Sequence, residues 1–319
     1  MRLIKLALVA CAAFALPLHA QVWPSKPVRL IVPFPPGGST DVAARVIAAK
    51  LSQAFGQRFV VENRGGAGGV VGTTDVARAE ADGYTILFAA NQVSTMHLVV
   101  KGIKYDFLHD FVPITQVTTQ PNAIAVHPSI GVNDLPGLIA LAKAKPGELS
   151  WAHPGPGSAQ QMNGELLWRK AGVKMTGVPY KGGGQAVVDL IAGHVQVAVL
   201  GATPFIANHR AGKIRIVAFT SEKRFSLFPD IPTLQELGYE GVNSTQWLGL
   251  LAPRGTPPEI VERLHAETTK ALALRDVREH LAQAALEPVG NSPQEFADVI
   301  KREIAYWTDV AHQLGIEPQ

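Results

Sequence analysis

The residues best suited to chemistry lie in one turn, Pro35-Pro36-Gly37-Gly38-Ser39-Thr40-Asp41, between a β-branched run from Val28 to Phe34 and an amphipathic helical pattern from Val42 to Phe55. Two adjacent glycines let backbone amides approach a ligand without Cβ obstruction, and the helix start adds unpaired N–H groups and the positive end of its dipole. That combination cradles an anion. No Gly-Lys-Ser/Thr sequence follows to neutralise a polyphosphate, so a carboxylate is a better guest than a nucleotide. The competing reading is purely structural: a tight turn before a helix capped by Ser39 or Thr40, with Asp41 favoured by the first-turn dipole.

Two further turns repeat the arrangement. His153-Pro154-Gly155-Pro156-Gly157-Ser158-Ala159 joins a strand ending at Ala152 to a helix beginning near Ala159. Gly157 and Ser158 could there offer amides and a hydroxyl to a second anionic group, or Ser158 could simply cap its helix. Tyr180-Lys181-Gly182-Gly183-Gly184-Gln185 is the third turn, with Lys181 either a cationic partner or an exposed charge. All three follow strand ends, where open α/β sheets bind their ligands. Gly65-Gly66-Ala67-Gly68-Gly69 lacks dinucleotide spacing, because Val71 stands where the last glycine belongs, and reads as a loop before a helix.

Catalytic signatures are missing. H-E-x-x-H, G-x-S-x-G and S-x-x-K do not occur, and the ten histidines, among them His109, His127 and His194, have no metal-ligand spacing. No metal and no cofactor is expected. His97 and His153 stand apart only because they fall near strand ends, and Trp247 because an aromatic there could line a cleft or fill a core.

The elements that must hold these turns alternate. Strand patterns at Val28 to Phe34, Phe59 to Val61 and Thr85 to Ala89 are separated by helical patterns at Val42 to Phe55 and Gly72 to Ala79. A second series runs from Ala123 to Ala218, with helices at Leu135 to Lys143, Ala159 to Ala171, Gln185 to Ala192 and Phe205 to Ala211. Trp247 to Leu251 reads as a further strand, followed by helical patterns from Glu259 to Ala285 and Pro293 to Leu314. Alternation of this kind predicts an α/β fold with a parallel sheet covered by helices. The second series interrupts the first, so the chain crosses twice between units, near Gln120 to Ala123 and near Ser244 to Leu248. The expected division is residues 21–121 with 248–319 in one lobe and 122–247 in the other, with a cleft between them and a hinge at the double crossover.

Arg2 and Lys5 precede an apolar run from Leu6 to Leu16, and Ala20 precedes Gln21-Val22-Trp23-Pro24, the layout of a cleavable secretory signal over residues 1–20. Leu8-Val9-Ala10-Cys11 also fits a lipoprotein box, although the apolar stretch before it is short. Cys11 is the sole cysteine, so the mature chain has no disulfide, thiolate site or Cys nucleophile. Removing the leader leaves 27 basic against 26 acidic side chains, a net of +1, which gives no basic field for nucleic acid or anionic membranes. Roughly 300 residues, at about 150 per domain, suit two lobes.

Several stretches, in order and over essentially the whole mature chain, resemble the Bug-type substrate-binding proteins of tripartite tricarboxylate transporters. They include Trp23-Pro24-Ser25-Lys26-Pro27, Pro33 to Asp41, Val61-Glu62-Asn63-Arg64-Gly65-Gly66, Asp82-Gly83-Tyr84-Thr85, Asp110-Phe111-Val112-Pro113-Ile114, Val178-Pro179-Tyr180-Lys181-Gly182, Pro229-Asp230-Ile231-Pro232-Thr233 and Gly249-Leu250-Leu251-Ala252-Pro253. The resemblance implies a type II periplasmic binding protein fold, two lobes with a double-crossover hinge closing on a small carboxylated solute. It implies that Phe34, Gly37, Gly38, Ser39, Thr40 and Asp41 hold one carboxylate, with Phe34 against the solute body, and that Asn91 completes this wall. Gly157, Ser158 and Ala159 would meet a second carboxylate or polar group, with Lys181, Gly182, Gly183, Gly184 and Thr203 finishing the opposite wall.

The implied partners are a mono-, di- or tricarboxylate solute, aromatic ones included, and inner-membrane transporter subunits, served by a periplasmic monomer that binds no nucleic acid. The chain departs from the family where His-Leu is common and Gln161-Met162 stands instead, and where Asn-Pro is common and Thr95-Met96-His97-Leu98 stands. Both positions flank the cleft, which points to a different ligand. Two other classes compete: a sensor whose loaded form engages a receptor kinase, and an exported enzyme using His97 or His153 as general base.

Overall fold

In the computed structural model, residues 23–318 are described; the expected leader lies outside them. The apolar runs at Val28–Val32 (β1), Phe59–Asn63 (β2) and Thr85–Ala90 (β3) pair in parallel, in the order β2-β1-β3. Parallel neighbours need crossovers, and the helices Ser39–Phe55 (α1) and Val70–Ala77 (α2) supply them. On α1 the spacing of Ala43, Ala44, Ile47, Ala48 and Leu51 places one buried stripe against the sheet. A short helix, Gln92–Thr95 (α3), leads from β3 toward the longest strand, Phe111–Val126 (β4).

The second series contains Leu135–Ala144 (α4), Ser150–His153 (β5), Ala159–Ala171 (α5), Thr176–Pro179 (β6) and Gly183–Ile191 (α6). Val197–Gly201 (β7), Thr203–Arg210 (α7) and Arg215–Phe219 (β8) complete it. The chain returns through Thr245–Pro253 (β9), followed by Pro258–Ala273 (α8), Arg275–Gln283 (α9), the two-residue strand Glu287–Pro288 (β10) and Pro293–Leu314 (α10).

All-parallel pairing is not what forms. The strand order is β2-β1-β3-β9-β4-β7-β5-β6, and both β9 and β4 run antiparallel to their neighbours. β4 serves both lobes: Phe111 to Pro121 pair with β9, and Asn122 to Val126 pair with β7. Its first half escapes sequence reading because two prolines, Pro113 and Pro121, interrupt a pattern otherwise rich in Thr and Gln. The long helical pattern from Glu259 to Ala285 also divides, at extended Leu274; Asp276 then sits in the first turn of α9, 2.6 Å from Lys50.

One packing feature departs from the simple division into lobes. Along α10, Phe296 and Ile300 join Ile31, Leu87 and Trp247 in one core, while Trp307 and Val310 join Leu138, Trp151 and Leu167 in another. The terminal helix therefore lies across both lobes, although the sequence pattern assigns it to the first.

Candidate ligand-binding cleft

α1 begins at Ser39 with Gly38 as N-cap, and no side chain caps it. The first-turn amides consequently have no intrahelical acceptor. Ser39 does not cap; its hydroxyl donates to Gln246 Oε1 at 3.3 Å. Gly37 turns the chain at φ +88°, a conformation that favours glycine, and its N–H donates to Asp41 Oδ2 at 3.1 Å. Asp41 also accepts from Arg45 and from Asn63 Nδ2, and Asn63 Nδ2 reaches the Phe34 carbonyl as well. Burial alone would raise the Asp41 pKa, but these donors together hold it below the ordinary aspartate value. Asp41 thus braces the turn as an internal anion.

On the facing lobe α6 also starts without a side-chain cap, with Gly182 as N-cap after Lys181. The two turns meet at the mouth of the cleft. A Cβ built on Gly184 would lie 3.7 Å from the Gly37 carbonyl carbon, and one on Gly182 would lie 3.6 Å from Pro35 Cδ. Behind this contact is a cavity of about 780 Å³, counting its open side. Phe34, Pro154 and Pro204 give it apolar walls, and the amides of Gln92, Gln160, Gln185 and Gln246 stud it. Among its lining residues Lys181 is the one cation and Asp41, already paired with Arg45, the one anion.

Of the residues expected in the site, Phe34, Gly38, Ser39, Thr40, Asp41, Lys181, Gly182, Gly183 and Gly184 line this cavity. Gly37 is not in the lining, and its amide is committed to Asp41. Gly157, Ser158 and Ala159 are outside the lining. Ser158 is the N-cap of α5: its Oγ accepts from Gln161 N at 3.1 Å and donates to Gly155 O at 2.8 Å, while Gln161 Oε1 takes the Gly157 amide at 2.9 Å. The α1 turn has no side-chain cap, whereas in the α5 turn Ser158 and Gln161 accept from two of the backbone amides.

Asn91 and Thr203 are likewise turned to internal duties. Thr203 Oγ1 bonds Gln120 Oε1 and the Ala284 carbonyl, at 2.8 and 2.6 Å. Asn91 Nδ2 donates to Glu303 Oε1 at 2.5 Å. Glu303, on α10, also receives the indole N–H groups of Trp247 and Trp307. Burial pushes the Glu303 carboxyl up to about 7 against the opposing pull of those three donors. Trp247 itself belongs to the core, at 5.1 Å from the Phe296 ring, and does not line the cleft.

Gln246, Gln160 and Gln92 were not among the expected site residues. For Gln246 a signal existed: strand alternation puts it on the face opposite its core neighbour Trp247. Gly201 lies beside it, and a Cβ there would come within 2.6 Å of both Gln120 Nε2 and Gln246 Oε1, so the close pairing of these two side chains requires glycine. Neither histidine favoured for acid–base chemistry reaches the cavity. His153 is buried against Trp151, and burial lowers its pKa to about 4; His97 is exposed beside Tyr105 and Asp106 in a separate depression. No cluster of three His, Cys, Asp or Glu side chains able to hold a metal occurs among the described residues.

Residues 43–316 match the family model described as tripartite tricarboxylate transporter family receptor. The chain is 38% identical over 309 residues to protein BugT of Bordetella pertussis, spanning 96% of this chain and 95% of that protein. Among solved structures, Rpa4515 of R. palustris with adipate superposes at a TM-score of 0.90 with 36% identity, covering 93% of this chain and all of that one. The periplasmic binding protein BugD superposes at 0.89 with 34% identity, covering 93% and 100%.

Proposed function

The chain belongs to the tripartite tricarboxylate transporter receptors of the Bug type, which are periplasmic solute-binding proteins and not enzymes, and on that premise we propose that its cleft captures a small dicarboxylate end to end. One carboxylate sits on the free amides at the start of α1. The other sits across the cavity at the start of α6, next to Lys181. The single observation carrying this reading is that two uncapped helix N-termini from opposite lobes face one cavity, where two dipoles and their N–H groups favour negative charge.

Adipate, the ligand of the R. palustris neighbour, has this two-ended form. The solute body would lie against Phe34, Pro154 and Pro204. Closure pivots where β4 passes from one sheet to the other, at Pro121–Asn122, and where β9 starts, with residues 21–121 and 248–319 moving against 122–247. A ligand touching both lobes stabilises the closed form by its differential affinity. The loaded receptor, acting as a monomer, then delivers its solute to the membrane subunits of the transporter.

A thermal-shift screen of mono-, di-, tri- and aromatic carboxylates on the mature protein tests the reading. A ligand at 100 times its dissociation constant adds about 2.7 kcal/mol to stability. Dicarboxylates of four to six carbons should give the largest shifts. No shift with any carboxylate, or equal shifts for mono- and dicarboxylates, overturns two-ended capture.

A further inference from the structure

Gln160, in the first turn of α5, is 1% exposed and lines the ligand cavity. Its two amide atoms stand in unlike positions. Nε2 donates to Asn122 Oδ1 at 2.8 Å, whereas Oε1 is buried and has no hydrogen-bond partner. Asn122 is itself held from the far side, its Nδ2 donating to Ser244 Oγ at 3.1 Å, and Asn163, one turn along α5, donates to the same oxygen at 2.6 Å. The donor end of Gln160 is therefore committed, and its carbonyl oxygen is left without a donor.

Of the other cavity amides, Gln92 Oε1 also has no donor, but only Gln160 Oε1 is buried where no solvent can satisfy it, and Gln246 is different again. Gln246 Oε1 already accepts from Gln120 Nε2 and from Ser39 Oγ. A buried acceptor without a donor is penalised, and the penalty is relieved only by an occupant that brings a hydrogen. An ionised carboxylate brings none and its oxygens would be repelled. An unsubstituted methylene chain would leave Oε1 as unsatisfied as before. A hydroxyl or amino group on that chain would satisfy it.

We propose that Gln160 is a specificity-determining residue whose Oε1 accepts a hydrogen bond from a hydroxyl or amino substituent on the carbon chain of the bound carboxylate. The proposal rests on the carboxylate-receptor reading above and adds the chemistry of the solute's middle. Sites built to hydrogen-bond a substituent discriminate strongly against analogues that lack it, because the site's own buried group is then left unpaired.

Matched ligands test it by titration calorimetry: succinate against malate and aspartate, and glutarate against 2-hydroxyglutarate and glutamate, with both enantiomers of each substituted acid. The expected result is a preference of about tenfold or more for at least one substituted member over its parent. The hydroxyl and amino arms show which donor is read. In Gln160→Met, of similar length but without the amide, the preference for the substituted member over its parent should collapse toward unity. A wild-type protein that binds the parents as well as the substituted acids overturns the proposal without needing any variant. So does a preference that survives in Gln160→Met. Failure of every carboxylate to bind would instead strike the receptor reading itself, so the two failures are distinguishable.

Discussion

Gly184 at the start of α6 faces Gly37 across the cleft mouth, close enough that a methyl group on Gly184 would touch the Gly37 carbonyl at 3.7–3.8 Å. This contact joins turns from opposite lobes, so it exists only while the cleft is narrow. A long side chain at Gly184 should act as a wedge.

Gly184→Leu carries no backbone penalty from a left-handed conformation, since Gly184 is not among the positive-φ glycines, and leucine is the better helix former. Stability should hold. Affinity for the best dicarboxylate should fall by about tenfold or more, because each tenfold corresponds to about 1.4 kcal/mol taken from closure. Small-angle scattering should show a variant that stays expanded at ligand concentrations that compact the parent. Normal compaction would separate this contact from closure.

Gly38→Val addresses the α1 amides. Gly38 has φ −83° and open space around it, so valine fits the backbone, at an N-cap cost of about 1 kcal/mol. Its branched side chain enters the space through which a carboxylate reaches the first turn. Calorimetry should show binding lost in a folded protein; retained affinity would exclude this helix start as an anion site.

Ser158→Ala should behave as a helix-cap mutation. Removing the hydroxyl strips a donor from Gly155 O and an acceptor from Gln161 N in a fully buried setting, at about 1–2 kcal/mol. The urea midpoint should drop, and the ratio of dicarboxylate to monocarboxylate affinity should be unchanged. A selective loss of dicarboxylate binding would put Ser158 back into the site.

Glu303 predicts a pH dependence with a defined sign. Its folded pKa, raised to about 7 from 4.5 by burial, means that between these values the folded protein holds a proton that the unfolded chain has released. Stability from this group is therefore complete below pH 4.5, is lost as pH rises toward 7, and is flat above. The loss is on the order of 3 kcal/mol. Denaturation midpoints at pH 5 and pH 7.5 should differ more for the parent than for Glu303→Gln, which cannot titrate. Equal pH differences in the two proteins would show that Glu303 does not ionise in this window.

Much of the architecture is legible from residue pattern because strand and helix periods differ and glycine turns mark where they change. Ser39 and Ser158 show where legibility stops. Both follow a glycine at a helix start, yet Ser39 is the first helical residue behind an N-cap glycine, whereas Ser158 is the N-cap itself. That one-residue offset decides whether the serine caps its helix, and it is finer than any sequence boundary. Gln160 was hidden for another reason. Its role depends on Asn122 and Ser244, 38 residues before it and 84 after it, which only the folded crossings bring together.

The helix α10 grips Trp247 and Leu87 with its first half, through Phe296 and Ile300, and Trp151 with its second. Two strands alone would let the lobes swing freely, but this third strap must twist or slide whenever they do. It works as a torsion bar between the two cores. Whatever narrows the cleft must then also shift the contacts of this helix with Trp247 and Trp151.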